Sequence, residues 1–436
     1  MNICVVGVGY VGLVTGVVFS DLGNDVICVD IDRDKIDKLN NGIMPIYEPG
    51  LEEMIERNVN DKRLTFTTDM KKSVENSQVL FIAVGTPSKE GGETDLSYVE
   101  QVASDIGKYI NDYKVIVNKS TVPVMTGDLV AEIIEKNKRR AVDFDVVSNP
   151  EFLREGSAIK DTLYPDRIVI GAPNKNVAMI LLELYASLER PMLITDVHSA
   201  EMIKYASNAY LATKISFINL IADLCEKVGA DVTMVAKGMG SDHRIGPKFL
   251  NAGLGFGGSC FPKDVDSLVH TTECFGVDAD LLKSVLDINR NRENHFVETI
   301  EENLNGLKGK TLGILGLSFK PDTDDMRDAK SIAVISRLLE KGAEINAYDP
   351  AAMKNAARIF PDITYCNSSY EALDGADAMV VVTEWREFKS LNMDKVKRLM
   401  KRPIIFDGRN IYKPERKGAR GFQYHSIGRT VEREDL

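Results

Sequence analysis

The residues best suited to chemistry lie in one short stretch, Gly253-Leu254-Gly255-Phe256-Gly257-Gly258-Ser259-Cys260-Phe261-Pro262-Lys263-Asp264. Four glycines precede Cys260, so the backbone there can approach a ligand closely, a setting a structural thiol seldom needs. Lys263 favours the thiolate, and Asp264 comes within reach of Cys260 if a helix starts at the proline. The alternative is an ordinary loop with an incidental cysteine. Lys204 and Asn208 stand four residues apart in a helical stretch and share a face. A cation beside an amide donor suits an oxygen that gains negative charge during reaction. Without the cysteine loop the same pair would read as solvated surface.

A second constellation opens the chain. Gly7-Val8-Gly9-Tyr10-Val11-Gly12 has G-x-G-x-x-G spacing between an apolar strand and a helix. Gly7 permits the tight turn, Gly9 lets a pyrophosphate reach the backbone, and Gly12 lets helix and strand pack closely. The helix N-terminus then favours phosphate charge. Asp30 ends the next strand, where a carboxylate binds a ribose 2′-hydroxyl. Asp32 and Asp34 would repel a 2′-phosphate, so NAD is favoured over NADP, with Arg33 arguing the other way. Further strands end in Gly85-Thr86-Pro87, Lys119-Ser120-Thr121-Val122-Pro123 and Asn149-Pro150-Glu151. In an open parallel sheet these sets line one edge, where ligands bind.

Together the two sites predict a reaction. A nicotinamide takes hydride from an alcohol to give an aldehyde. A thiolate adds to the aldehyde, a second hydride transfer yields a thioester, and water releases an acid. The expected activity is therefore a four-electron oxidation. Two other classes share part of the pattern: a two-electron hydroxyacid dehydrogenase, which needs no nucleophilic cysteine, and a non-catalytic NAD-binding sensor, which needs no Lys204 and Asn208.

The elements that must position these residues fall into three zones: 1–195, 196–305 and 306–436. The first alternates strands (Ile3–Val6, Val26–Val29, Val79–Val84, Val115–Val117, Asp145–Ser148) with helices, which implies a Rossmann-like, doubly wound parallel sheet. The second is helical: Ala200–Val228 lacks Gly and Pro, Ser199 can cap it, and Gly229 stops it. A helix of that length, roughly 43 Å, commonly bridges domains or forms a dimer seam, though it can also be a long core helix. The third zone returns to alternation, with strands at Thr311–Leu315, Glu344–Tyr348, Ala378–Val382 and Pro403–Phe406, a second Rossmann-like α/β domain.

Composition narrows the classes further. A 436-residue chain with 44% hydrophobic and 27% charged residues reads as a globular protein of two or three domains. A net charge of -11 argues against nucleic acid. The six cysteines form no C-x-x-C pair and the five histidines are scattered, so neither a disulfide framework nor a metal site is expected. The apolar start lacks a basic n-region and carries the glycine motif, so it reads as a cytoplasmic nucleotide-binding unit rather than a signal peptide, and no later stretch is apolar enough to span a membrane.

Seven separated motifs then identify a family: GVGYVGL (Gly7–Leu13), VGTP (Val84–Pro87), STVP (Ser120–Pro123), NPEFLREG (Asn149–Gly156), KYASNAY (Lys204–Tyr210), GFGGSCFPKD (Gly255–Asp264) and GLSFKPDTDDMR (Gly316–Arg327). Over essentially its full length the chain resembles the UDP-glucose/GDP-mannose dehydrogenase family. The resemblance implies NAD-dependent oxidation of UDP-glucose to UDP-glucuronate, with UDP-N-acetylhexosamine or GDP-mannose as alternative substrates. It makes Cys260 the nucleophile and Asp264 a proton-transfer partner. Lys204 and Asn208 become oxyanion donors, Glu151 acts in thioester hydrolysis, and Thr121 helps position water. NAD contacts carry over to Val11, Asp30, Lys35, Thr86, Thr121, Glu155, Lys263 and Arg327, beside the glycine turn. Sugar-nucleotide contacts carry over to Phe249, Asn251, Gly253, Gly257, Lys320 and Arg409, with Phe152 and Leu153 beside Glu151. Arg244 is implied to reach the neighbouring subunit's substrate, making a homodimer on the central helices.

Overall fold

The protein is described by a computed structural model covering residues 1–414 and 421–429. It divides into two compact units: Met1–Ser207 with Asp266–Gly276, and the rest of the described chain.

The first unit is built on an eight-stranded sheet. Its strands are β1 (Asn2–Val6), β2 (Asp25–Val29), β3 (Leu64–Thr67), β4 (Val79–Ile82), β5 (Lys114–Asn118), β6 (Phe144–Ser148), β7 (Ile168–Gly171) and β8 (Met192–Thr195), in the order β3-β2-β1-β4-β5-β6-β7-β8. Strands β1 to β6 pair in parallel, and only the β6–β7 step is antiparallel. The central strands are continuous apolar runs because helices cover both faces. All the turns after β1, β4, β5 and β6 consequently emerge at one sheet edge, as their sequences predict.

The second unit repeats the plan with β9 (Thr311–Leu315), β10 (Glu344–Tyr348), β11 (Thr364–Tyr365), β12 (Ala378–Val381), β13 (Ile404–Asp407) and β14 (Gln423–Ser426). Their order, β11-β10-β9-β12-β13-β14, is the same 3-2-1-4-5-6 arrangement, all parallel. A helical region precedes this sheet in the chain, with a glycine-rich loop and the helices Phe261–Cys274 and Asp280–Leu304.

The long helix runs Val197–Val228, three residues earlier than Ala200. Its cap is Asp196, not Ser199: Asp196 accepts the Ser199 N–H at 2.8 Å and the Ser199 hydroxyl at 2.7 Å. Gly229, left-handed at φ 77°, ends it.

Candidate active site

At the first turn the three glycines serve three purposes. Gly7 has φ 98°, and a Cβ there would lie 2.6 Å from the Ala83 carbonyl oxygen. A Cβ on Gly12 would collide with the Gly7 carbonyl. A Cβ on Gly9 would meet nothing within 4 Å, so of the three only this glycine faces open space. The helix Tyr10–Asp21 starts there with no side-chain cap, leaving its first N–H groups for an anion. Asp30 accepts the Val8 N–H at 2.8 Å and the Asp32 N–H at 3.0 Å, with Lys35 at 3.4 Å. Its neighbour Asp32 caps the helix Arg33–Asn40. An uncapped helix end, one open glycine and a carboxylate at the end of β2 fit a dinucleotide. Val11 lies in that helix's first turn, half-buried.

The remaining first-unit residues gather after β4, β5 and β6. The Thr86 hydroxyl donates to the Thr121 carbonyl at 2.9 Å, tying the turns after β4 and β5 together. Lys204 donates to Glu151 at 2.9 Å, and both side chains are nearly buried, at 5% and 6% exposure. The other Glu151 oxygen accepts the Leu153 N–H at 2.8 Å. Phe152 places its ring under the Arg167 guanidinium at 3.7 Å and near Lys204 at 5.4 Å. Tyr10 and Glu48 share a short hydrogen bond, and Gly156 donates to both at 2.8 and 2.7 Å, fixing the segment that carries Glu155.

Lys119 and Asn149, read in the sequence only as members of the strand-end sets, join Tyr185 in a buried network. Lys119 donates to Asn149 at 3.0 Å and Tyr185 at 3.3 Å, and Asn149 in turn holds the Val169 carbonyl at 2.7 Å. Burial pushes the Lys119 ammonium down to about 8. The signal was a lysine at a strand end, which spacing alone cannot separate from an exposed one.

In the second unit Cys260 is exposed and immediately precedes the helix Phe261–Cys274. The positive end of that helix favours a thiolate there. Cys4, by contrast, is pushed well above the ordinary thiol range by burial, and Cys28 up to about 12. Asp264 sits in the first turn of the same helix, only 1% exposed. Asn208 donates to one of its oxygens at 2.6 Å, and Lys263 lies 2.7 Å from the other. The helix pair Lys204 and Asn208 thus meets two different carboxylates, a partition that i, i+4 spacing does not reveal.

The glycines of the loop that carries Cys260 pack closely against protein. A Cβ on Gly255 would strike Asn289, on Gly257 the Asp328 carbonyl, and on Gly258 the Phe319 ring at 2.6 Å. Gly255 and Gly258 also have positive φ. The loop is pinned by Asn289, which exchanges hydrogen bonds with the Phe256 backbone at 2.8 and 3.0 Å. Asn219 accepts the Gly253 N–H at 2.9 Å, and Arg409 donates to the Gly255 carbonyl at 2.9 Å. Gly258 donates to the Arg327 carbonyl at 2.9 Å. Lys320 lies over the Phe319 ring at 5.4 Å, and Phe249, at φ 64°, packs on Phe261. Asn251 is exposed. Arg244 is exposed and chelates Asp242, joining none of these groups.

Among the described residues, one group of metal-type side chains comes together: Asp223, Glu226 and His295. Its members are already engaged. Arg292 pairs with Asp223, while His295 at 3.0 Å and the Gly428 N–H at 2.7 Å hold Glu226. Two cross-helix ion pairs account for it.

Two α/β sheets of nucleotide-binding order, a glycine turn with its acid, and a thiol at a helix N-terminus define an NAD-dependent oxidoreductase. The chain belongs to the UDP-glucose/GDP-mannose dehydrogenase family. Residues 1–189 match its NAD binding domain, 198–291 its central domain and 313–414 its UDP binding domain. It is 50% identical over 433 residues to UDP-glucose 6-dehydrogenase TuaD of Bacillus subtilis (strain 168), covering 99% of this chain and 94% of that one. A UDP-glucose dehydrogenase from the hyperthermophilic archaeon Pyrobaculum islandicum shares the fold at TM-score 0.92 and 39% identity, covering 98% of each chain. A UDP-D-ManNAc dehydrogenase from Pyrococcus horikoshii aligns at TM-score 0.87 and 28% identity, over 99% of this chain and 100% of that one. No described helix is long and apolar enough to cross a membrane.

Proposed function

We propose that this protein is a UDP-glucose 6-dehydrogenase, oxidising the C6 alcohol of UDP-glucose to the carboxylate of UDP-glucuronate. The observation that carries the reading is Cys260, an exposed thiol at a helix N-terminus, one turn from an acid held by Asn208 and Lys263. NAD, when bound, supplies the hydride acceptor for both oxidations.

The chain's own residues do the rest. The Cys260 thiolate adds to the C6 aldehyde, forming a C–S bond while the carbonyl oxygen takes the charge. The Lys204 ammonium and the Asn208 amide stabilise that oxyanion. After the second oxidation C6 is a thioester. Water, oriented by Thr121 and Glu151, attacks it; Asp264 takes the water's proton and returns it to the departing Cys260 sulfur. The glycine turn, Val11, Asp30, Lys35, Thr86, Thr121, Glu155, Lys263 and Arg327 hold the dinucleotide. Phe152, Leu153, Phe249, Asn251, Gly253, Gly257, Lys320 and Arg409 hold the sugar nucleotide.

The working divisions are 1–195 for NAD, 196–305 for the helical region with the cysteine loop, and 306–436 for UDP-sugar. The enzyme works as a cytoplasmic homodimer. On the long helix Tyr210, Phe217, Leu220, Leu224 and Val228 are all exposed, at spacings of seven, three, four and four. Such a seam suits a second copy and brings the exposed Arg244, paired in its own chain only with Asp242, to the partner's substrate. All six cysteines are free, in keeping with a reducing compartment.

A panel assay of NADH release with UDP-glucose, UDP-N-acetylmannosamine, UDP-N-acetylglucosamine and GDP-mannose tests the substrate. UDP-glucose should give the highest kcat/KM. A higher value for an N-acetylated sugar would favour the activity named for the Pyrococcus horikoshii neighbour.

A further inference from the structure

Among the buried acids that the mechanism above leaves unused, Glu201 lies beside the site. Glu201 lies on the long helix, three residues before Lys204, and is 2% exposed. Its two oxygens reach back to the turn after β5. Oε2 accepts the Met125 N–H and Oε1 the Gly127 N–H, each at 2.8 Å. These groups open the helix Thr126–Asn137, whose cap residue Met125 is left-handed, at φ 78°, and offers no side-chain cap. A helix start leaves unpaired N–H donors and positive potential, and Glu201 answers both from another element. Gly127 permits the approach: a Cβ there would lie 2.5 Å from Val197.

That helix continues directly from Ser120-Thr121-Val122-Pro123. The Thr126 hydroxyl donates to the Pro123 carbonyl at 2.6 Å, tying the start of the clasped helix to the turn that carries Thr121. We propose that Glu201 is a positioning residue: its carboxylate clasps the turn carrying Thr121 to the helix carrying Lys204, and turnover requires the clasp closed. This rests on the reading in which Thr121 and Lys204 act on the same carbon.

The clasp is sensitive to protons. Burial pushes Glu201 up to about 7, against the two N–H bonds that favour its charge. The charged groups facing it are Asp128, from the helix Thr126–Asn137, and His198, from its own helix, which pair with each other at 2.6 Å. Because the folded value lies above the unfolded one, ionising Glu201 subtracts stability as pH rises towards 7. The fold therefore carries a charge at working pH that it would keep more easily as a neutral acid. A charged acceptor for both N–H groups is a demand of position, not of stability. Protonation turns one oxygen into a donor and weakens it as the acceptor of its backbone N–H.

Amide NMR and kinetics on the full-length enzyme test this. In the unaltered protein the Met125 and Gly127 amide resonances should shift together with a midpoint near pH 7, and kcat for UDP-glucose should fall through the same range on the acid side. Glu201→Gln should abolish that titration and lower kcat at least tenfold at pH 8, with KM changed less than threefold. Glu201→Asp, too short to reach both donors, should keep the charge and recover only part of the rate. A Glu201→Gln enzyme with kcat within twofold of normal would overturn the positioning role, and amide shifts without a transition near pH 7 would overturn the clasp. Thr121→Ala and Lys204→Ala, assayed alongside, separate the two levels. If both keep full kcat while the amides still titrate, the reading of the site has failed and the clasp stands.

Discussion

The two sheets share one plan but put their first turns to different uses. Gly7 and Gly316 are equivalent: φ is 98° and 96°, and each donates its N–H to the end of the second strand, Val29 at 2.8 Å and Tyr348 at 2.9 Å. Each also abuts the end of the fourth strand, at Ala83 and Thr383. The acids match as well: Asp30 accepts the Val8 N–H at 2.8 Å and Asp349 the Leu317 N–H at 2.7 Å. There the likeness ends. After Gly7 a helix begins at Tyr10, its N-terminus uncapped beside the open Gly9. After Gly316 the next helix begins only at Lys330, and the loop between carries Lys320 and Arg327. Asp30 keeps 12% of its side chain exposed, while Asp349 is fully buried under the Trp385 indole N–H at 3.1 Å and the Ser318 hydroxyl at 3.2 Å. One turn kept the acid and helix end for a ligand. The other consumed its acid in the fold and sent cationic side chains outward, so a topology shared by two sheets says nothing about which turn binds a dinucleotide.

The largest effects should be shared by both turns. Gly7→Ala and Gly316→Ala each place a Cβ against backbone at positive φ, which should cost about 3 kcal/mol or more in their own unit. Hydrogen exchange of β1 and β9 reads the two separately; a loss confined to one would break the equivalence. Next, Asp349→Ala should destabilise the second unit by about 2–4 kcal/mol, because it orphans buried N–H donors. It should leave NAD affinity within twofold by calorimetry. A large loss of NAD affinity would mean the second turn also binds that cofactor.

Smaller effects distinguish the first turn. Gly9→Ala should leave the melting temperature unchanged, since nothing lies near its Cβ. It should weaken NAD at least tenfold, about 1.4 kcal/mol, through steric exclusion of the pyrophosphate. An unchanged NAD affinity would place the phosphates elsewhere. Smallest is Asp30→Ala, which should erode the preference for NAD over NADP by about 1 kcal/mol in kcat/KM. Equal kcat/KM for both cofactors in the unaltered enzyme would contradict the reading of Asp30.

The central strands were legible because burial on both faces leaves a continuous apolar run, and β9 and β10 match the expected residues. The missed strands lack that run. In β3, Leu-Thr-Phe-Thr alternates; β8 is half exposed; β11 has two residues; and β14, Gln-Tyr-His-Ser, is held by pairing with β13 and by Tyr424 on Asp407. Two missed strands are apolar, β7 (Ile-Val-Ile-Gly) and β8 (Met-Leu-Ile-Thr), each only four residues long. The site was legible as residue types and spacings. Its partners were not: Lys204 finds Glu151 across 53 residues, Asn208 finds Asp264 across 56, and Glu201 finds Gly127 across 74. Periodicity fixes which face a side chain shares, and tertiary packing alone decides what meets it. The cysteine loop shows the same gap, since spacing does not reveal that its glycines pack against Asn289, Phe319 and Asp328.

The thioester on Cys260 is the claim on which the account turns, and mass spectrometry of enzyme quenched during turnover, with NADH counted per UDP-glucose consumed, addresses it directly. A sugar-nucleotide adduct on Cys260 and two NADH per substrate are the expected result. Cys260→Ala should lose acid formation by several orders of magnitude, as expected when a nucleophile and its partners act as one unit, while NAD still binds. Acid formed by Cys260→Ala at a near-normal rate, with two NADH per sugar and no adduct, would contradict it.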